Sequence, residues 1–519
     1  MSAEPDALRD IEGYLARHEQ KELVRFALVG SVDDGKSTLI GRLLHDTHGV
    51  YEDQLAAVKK ASKTRGEDEI DFSLFTDGLK AEREQGITID VAYRYFSTER
   101  RKFIIADTPG HVQYTRNMAT GASTADIAVI LLDARLGVLP QSRRHAAIAS
   151  LLGIKRLIVA VNKMDLVGYA EQAYRDLEAA FAPFLGRLAF DGVTFIPVSA
   201  TRGVNVVHKS EETPWYTGET MLGTLDTVPI TRAAPAGADD PLRFPVQTVI
   251  RPHLDYRGFA GWVARGVARA GDEVMILPSG RRTRIASVDS FEGQLTHAPA
   301  PFSLTLRLTD EVDVSRGEMI TSVDRPATAS TDVEATLVWL SERAFDPSRK
   351  LLCKHTSRWV PARVSGVLGK LSLESLELEP VSGIELNDIV SARVHLARPL
   401  FCDPYTTCRA TGAFVLVDAL DNATVAAGMI TSATEVAERR AEGRPTAVER
   451  ADRVGHRAGV FRLAGDLYGV ERALFDRGIA AVALEGVAIA PAVVAAVIEA
   501  GVVALVSDTD DAGFALLQA

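Results

Sequence analysis

Basic charge, cysteine and long apolar runs are all scarce in this chain of 519 residues. Lys and Arg number 58 against 69 Asp and Glu, a formal net charge of −11. No overall cationic excess is therefore available to follow a nucleic acid backbone. The three cysteines (Cys353, Cys402, Cys408) form no CxxC pair, which excludes a disulfide framework and fits a reducing compartment. The longest uncharged apolar stretch, Gly486 to Ile498, is about 13 residues, short of the ~20 a bilayer crossing needs. It reads as a buried strand and helix. The first twenty residues mix Asp, Glu, Arg and Lys without an apolar block, so no secretory leader is predicted. The expectation is a cytoplasmic protein with neither a membrane nor a nucleic acid partner. Its length predicts several domains.

What is present is a set of four short segments in a meaningful order. Phe26-Ala27-Leu28-Val29 is an apolar run that ends directly in Gly30-Ser31-Val32-Asp33-Asp34-Gly35-Lys36-Ser37, and Thr38 to Leu44 continues at helical spacing. This strand, loop and helix is the context a phosphate loop requires. Gly30 and Gly35 let the backbone amides curl toward a phosphate at the positive end of the helix. Lys36 is expected to bridge the β- and γ-phosphates, and the Ser37 hydroxyl to ligate Mg²⁺. A second strand, Phe103 to Ala106, delivers Asp107-Thr108-Pro109-Gly110-His111. Asp107 is expected near the metal, the Gly110 amide at the γ-phosphate, and His111 beside the attacking water. Thr88, in Gly86-Ile87-Thr88-Ile89, is the expected γ-phosphate sensor and a further Mg²⁺ ligand, on a polar loop that includes Lys80 and Glu82 to Gln85. A third strand, Leu157 to Val161, ends in Asn162-Lys163-Met164-Asp165. The Asp165 carboxylate can accept both N1–H and the exocyclic amine of guanine. Adenine offers a bare acceptor there, and a buried polar group left unpaired costs ~1–3 kcal/mol. Lys163 would lie along the base, and Ser199-Ala200 would present the Ala200 amide to guanine O6. The four segments together predict a GTP-binding switch protein that uses GTP and Mg²⁺.

The run Ala81 to Asp90 followed by Asp107 to His111 resembles the elongation-factor-Tu-like GTPase superfamily. Within it, the chain is similar to the GTPase large subunit of bacterial sulfate adenylyltransferase. The likeness rests on Leu44-His45-Asp46-Thr47 with Tyr51 to Leu55, on Val91 to Thr98, on Tyr114 to Ser123 and on Gln141-Ser142-Arg143-Arg144-His145. It spans about residues 20 to 435, and Val112 stands where a glutamate is expected. The resemblance implies GTP hydrolysis coupled to formation of adenylylsulfate and pyrophosphate from ATP and sulfate. Adenylyl transfer would occur on a smaller, ATP-pyrophosphatase-like subunit, in a heterodimer or higher assembly. This chain has one phosphate loop, tuned to guanine, and lacks the Ser-Gly-Gly-x-Asp-Ser loop of ATP pyrophosphatases. The other reading is a translation factor carrying RNA to the ribosome, which would want a basic face.

The expected fold class is multi-domain, α/β plus all-β. A P-loop GTPase domain (residues 1–232) precedes a β-barrel (241–325) and a second β-barrel (332–432), read from short alternating runs and frequent glycines. A charged linker (433–453) leads to an α/β segment (454–519). Arg453 to His456 with Leu463-Ala464-Gly465 resembles the start of adenylylsulfate kinase, which fused relatives carry at this place. Asp466-Leu467-Tyr468-Gly469 then replaces the glycine-rich loop and lysine such a kinase needs. The segment is therefore expected to be a kinase-dead remnant that packs on a neighbour.

Overall fold

The structure is a computed structural model, and it describes residues 21–47, 58, 72, 91–111, 115–230, 239–253, 256–381, 383–435, 458–463, 466–476, 479–484 and 491–507. The switch segment around Thr88 and most of the expected linker lie outside these residues.

The first unit is one six-stranded sheet. Its strands are β1 (Glu22–Val29), β2 (Ala92–Ser97), β3 (Arg101–Asp107), β4 (Ile127–Asp133), β5 (Arg156–Asn162) and β6 (Gly192–Pro197), in the order β2-β3-β1-β4-β5-β6. All neighbours run parallel except β2, which pairs antiparallel with β3. The strands are apolar along their length because both faces are covered, as parallel sheets require. Successive residues along each strand go to different cores. Phe26, Val129 and Leu131 face one, whereas Ala27, Ile130 and Leu132 face the other. Helices α1 (Lys36–Asp46), α2 (Thr115–Ser123), α3 (Pro140–Leu151) and α4 (Glu171–Leu185) connect the strands.

Two closed barrels follow. The first is a ring of Glu273–Leu277, Met319–Ser322, Arg243–Ile250, Gly258–Val263, Phe302–Leu308 and Arg281–Ser290, closed by pairing of the last strand with the first. The second is a ring of Leu351–His355, Ala413–Asp418, Thr424–Thr434, Thr328–Trp339, Ile389–Cys402 and Arg358–Leu371, closed likewise. Closure leaves no free edge in either ring. The second barrel starts at Thr328, earlier than its apolar pattern suggests, because a bulge between Ser330 and Asp332 carries the strand on to pair Thr328 with Cys402. It also runs to Thr434, which pairs with Asp332.

The bodies are tied together. Ile389, Tyr405 and Met429 of the second barrel belong to the same apolar core as α3 and β4, and Tyr405 Oη donates to the Leu152 carbonyl at 3.1 Å. Arg409 donates to the carbonyl of Gly153 beside it. Between the barrels, Arg243 and Asp403 form a buried two-pronged ion pair at 2.8 and 2.9 Å.

The final unit is a three-stranded parallel sheet, Val460–Leu463, Val503–Ser507 and Ala481–Leu484 in that spatial order, with helices Leu467–Asp476 and Pro491–Glu499. A helix, Pro491–Glu499, does fall in the apolar stretch Gly486 to Ile498, but Val493 is 48% exposed where burial was expected, and residues 486–490, where the strand was expected, lie outside the described set. Leu467, Val503 and Leu505 form its own small core. Among the described residues, no helix is long and apolar enough to cross a membrane.

Candidate functional site

The carboxyl ends of the parallel strands meet at one sheet edge, where open α/β folds bind ligands. Register sets this alignment, pairing Leu28 with Asp107 and Asp133 with Asn162. Thus the loop after β1, Asp107 at the end of β3 and Asn162 at the end of β5 share a level. Ser199 and Ala200 follow β6 on the same edge.

The loop from Gly30 to Gly35 is shaped by two left-handed residues, Asp33 (φ 64°) and Gly35 (φ 92°). Gly35 is irreplaceable on space as well: a Cβ there would fall 2.5 Å from Asn162 Nδ2. Lys36 opens α1 and is buried, and its amine donates to the Ser31 carbonyl at 2.7 Å and to the Gly30 carbonyl at 3.0 Å. Burial pushes the amine's pKa down, while Asp107, Asp34 and Asp33 pull it back up. Gly110 lies directly over this loop, since a Cβ on it would sit 2.4 Å from Lys36 Nζ and 2.7 Å from the Gly30 oxygen. Thr108 Oγ1 donates to the Leu28 carbonyl at 2.7 Å and pins that turn to β1. Asp107 is buried and His111, just past Gly110, is exposed. Ser37 and Thr38 are half-buried in the first turn of α1, and Val32 and Asp33 are exposed at the tip of the loop.

The base-side loops are cross-braced. Asn162 Nδ2 donates to the Asp34 carbonyl at 2.7 Å, and its Oδ1 accepts the Ala200 amide at 3.0 Å. One side chain therefore joins the phosphate loop to the Ser199-Ala200 loop. The Ala200 amide, expected to meet guanine O6, has this protein partner in the structure. Asp165 Oδ1 accepts from Ser199 Oγ at 2.6 Å, which fixes the carboxylate at the edge of the site. Lys163 is itself left-handed (φ 62°); its amine donates to the Asp33 carbonyl and pairs with Asp133 at 3.0 Å.

Asp133 is the residue that motif reading misses. It is 2% exposed, and Arg135 holds it through Nε at 3.0 Å and a terminal nitrogen at 2.7 Å. Burial would raise its carboxyl, but hydrogen bonds from Arg135 and Lys163 outweigh that and hold it well below the usual range. The available signal is an acid closing the apolar strand Ile127 to Leu132, between two motif-bearing strands. Of the sequence-predicted site residues, the structure gathers all but Thr88, which lies outside the described set.

The donor chemistry of this edge suits a nucleoside phosphate and a hard cation. Ser37 and Asp107 offer oxygen ligands of the kind Mg²⁺ takes. The Ser31 hydroxyl is buried without a hydrogen-bond partner. Two glycines hold backbone where any Cβ would intrude. In the last unit, the equivalent turn is already closed: Asp466 Oδ1 accepts the Gly469 amide at 2.9 Å and caps the helix Leu467–Asp476. A carboxylate there takes the favourable place of an anion at a helix N-terminus.

Comparison with known proteins places this geometry. Residues 21–236 match the Elongation factor Tu GTP binding domain family, and residues 332–431 match the GTP-eEF1A C-terminal domain-like family. Sulfate adenylyltransferase subunit 1 of Cellvibrio japonicus is 51% identical over 424 residues, covering 81% of this chain and 89% of that protein. The same-named protein of Teredinibacter turnerae is 52% identical over 422 residues, covering 81% and 90%. The Bifunctional enzyme CysN/CysC of Rhodopirellula baltica is 47% identical over 517 residues, covering 94% of this chain and 79% of that protein, so the likeness continues past the barrels.

Proposed function

The chain belongs to the sulfate adenylyltransferase subunit 1 family, and on that premise we propose that it couples GTP hydrolysis to adenylylsulfate formation on a smaller partner subunit. It is a GTP-binding protein by its domain family. The observation that carries the coupling is identity near one half across both the nucleotide sheet and the barrels, in relatives named as one subunit of that enzyme. The overall reaction makes adenylylsulfate and pyrophosphate from ATP and sulfate. A sulfate–phosphate anhydride is a high-energy bond, so its formation runs uphill and needs a second source of drive.

In this reading the loop amides from Gly30 to Ser37 and the Lys36 amine bind the phosphates. Mg²⁺, held by Ser37 and Asp107 with Thr88, would supply charge neutralisation between the phosphates. Gly110 senses the γ-phosphate from above the loop, and His111 orients water. Asp165 selects guanine, with Lys163 flanking the ring and Ser199 and Ala200 closing the pocket. Nucleotide state biases the partner's active site through differential contacts in the two states. The last unit is read as lacking kinase activity, because Asp466 occupies its helix N-terminus.

The test is GTP turnover with and without the smaller subunit, ATP and sulfate. Turnover should rise when all three are supplied together; a rate indifferent to them counts against coupling. The base assignment has its own check. Asp165→Asn should weaken GTP about ten- to hundredfold, one unpaired donor costing ~1–3 kcal/mol, and shift preference toward xanthosine triphosphate. Asparagine keeps an acceptor for Ser199, so the loop itself holds. Competition binding of the two nucleotides reads the switch, and unchanged GTP affinity would reassign Asp165.

A further inference from the structure

Asp34 is a buried acidic side chain bonded back onto the phosphate loop, and the nucleotide chemistry above makes no use of its carboxylate. It is 1% exposed, and its Oδ2 accepts the Ser31 amide at 2.5 Å. The same oxygen lies 3.1 Å from where a Cβ on Gly30 would be, so the carboxylate spans the loop from its fifth residue back to its first two. The loop's backbone at Asp34 is in turn gripped by Asn162.

The charged groups facing Asp34 come from three elements. Lys36, from α1, supplies the largest opposing positive charge, and that amine donates to the Gly30 and Ser31 carbonyls. Asp133 from the end of β4 repels it, and Lys163 from the loop after β5 offsets part of that while paired with Asp133. Asp33 and Asp107 act on the same Lys36 amine. Burial in this setting pushes the Asp34 carboxyl up to about 6, with Lys36 and the Ser31 amide opposing.

We propose that Asp34 is a positioning residue for the phosphate loop, which braces the Ser31 amide as a carboxylate and takes up a proton from solvent when a nucleoside diphosphate or triphosphate claims the Lys36 amine. The proposal rests on the nucleotide-binding reading of this loop. The physical cause is that the arriving phosphates add negative charge beside a desolvated carboxylate and divert the cation that opposed its protonation. The Asp34 pKa is then higher in the complex than in the free protein. Affinity is accordingly greatest below the free-protein value, falls as pH rises between the two values, and levels off above the upper one.

The experiment is calorimetry of GDP binding to the full chain near neutral pH, in buffers of different ionisation enthalpy, for wild type and Asp34→Asn. Asparagine still offers an oxygen to the Ser31 amide. The expected result is a larger net proton uptake in wild type than in the variant, because GDP's own phosphate contributes equally to both. Wild-type affinity should also fall relative to the variant's, by up to about tenfold per pH unit, as pH rises through the window. Equal proton uptake in the two proteins overturns the proposal. Failure of wild type to bind GDP at all would instead sink the reading of the loop. If Asp34→Asn does not fold, infrared difference spectra of wild type on GDP addition decide the matter. A new protonated-carboxyl band supports the proposal and its absence refutes it.

Discussion

Lys36→Ala loses GTP and GDP affinity by about a hundred- to ten-thousandfold in equilibrium binding. The amine sits under Gly110 and against the Gly30 and Ser31 carbonyls, at the mouth of the loop whose amides would face the phosphates. Two charge-assisted hydrogen bonds to phosphate, at about 1.5–3 kcal/mol each, account for that loss. The remaining loop amides and helix end still attract anions, which is why residual binding survives at high nucleotide concentration. The fold should tolerate the change, because the buried amine is itself held in a desolvated place that pushes its pKa down. Far-ultraviolet circular dichroism of the variant should therefore overlay that of wild type. Affinity within threefold of wild type would remove Lys36 from the pocket.

Arg243→Ala destabilises the barrel pair by about 3–5 kcal/mol, read by chemical denaturation. Arg243 is 3% exposed and Asp403 is 7% exposed, and their two-pronged contact crosses from one barrel to the other. Removing the guanidinium strands a buried carboxylate with the Thr411 hydroxyl, which donates at 2.7 Å. The reverse change is milder. In Asp403→Ala the guanidinium keeps the Leu242 and Arg325 carbonyls and Thr321 Oγ1, at 3.1, 2.8 and 2.9 Å. Burial would raise the Asp403 carboxyl, yet the Arg243 hydrogen bonds and charge win and hold it below the ordinary range. A depressed carboxyl stabilises fully above its unfolded-state pKa, and this contribution fades as pH falls through the folded value. The gap between wild type and Arg243→Ala should therefore narrow in acid. Equal losses for the two single variants would contradict this account.

How far the sequence carried these results differs from residue to residue. The phosphate loop, Asp107 and Asn162 were legible because each ends an apolar strand, and parallel strands deliver their ends to one edge. The barrels were legible as classes through alternation and glycine spacing. Their closure was not: Glu273–Leu277 and Arg281–Ser290 are a local hairpin, but the ring also needs Glu273–Leu277 to pair with Met319–Ser322, a long-range register that no local pattern states. Asp133 escaped because one acid after a strand has no motif, and its ion-pair partners Arg135 and Lys163 come together with it only in the fold. Arg243 and Asp403 stand 160 residues apart, and nothing near either one announces the other. The capping role of Asp466 was half visible: the sequence showed an acid in place of a lysine, and the structure gives it the Gly469 amide.

The shared core beneath Tyr405 has a mechanical meaning. The nucleotide sheet and the second barrel are welded through α3, at Leu152 and Gly153, and the first barrel is bolted to the second through Arg243. Peeling the sheet from the second barrel would bare Ile389 and Met429 to water, a loss of about 1.5–3 kcal/mol for each large apolar side chain. A shift of α3 would therefore have to be met at Tyr405 and Arg409, and again at Arg243, before the barrels could move apart from the sheet.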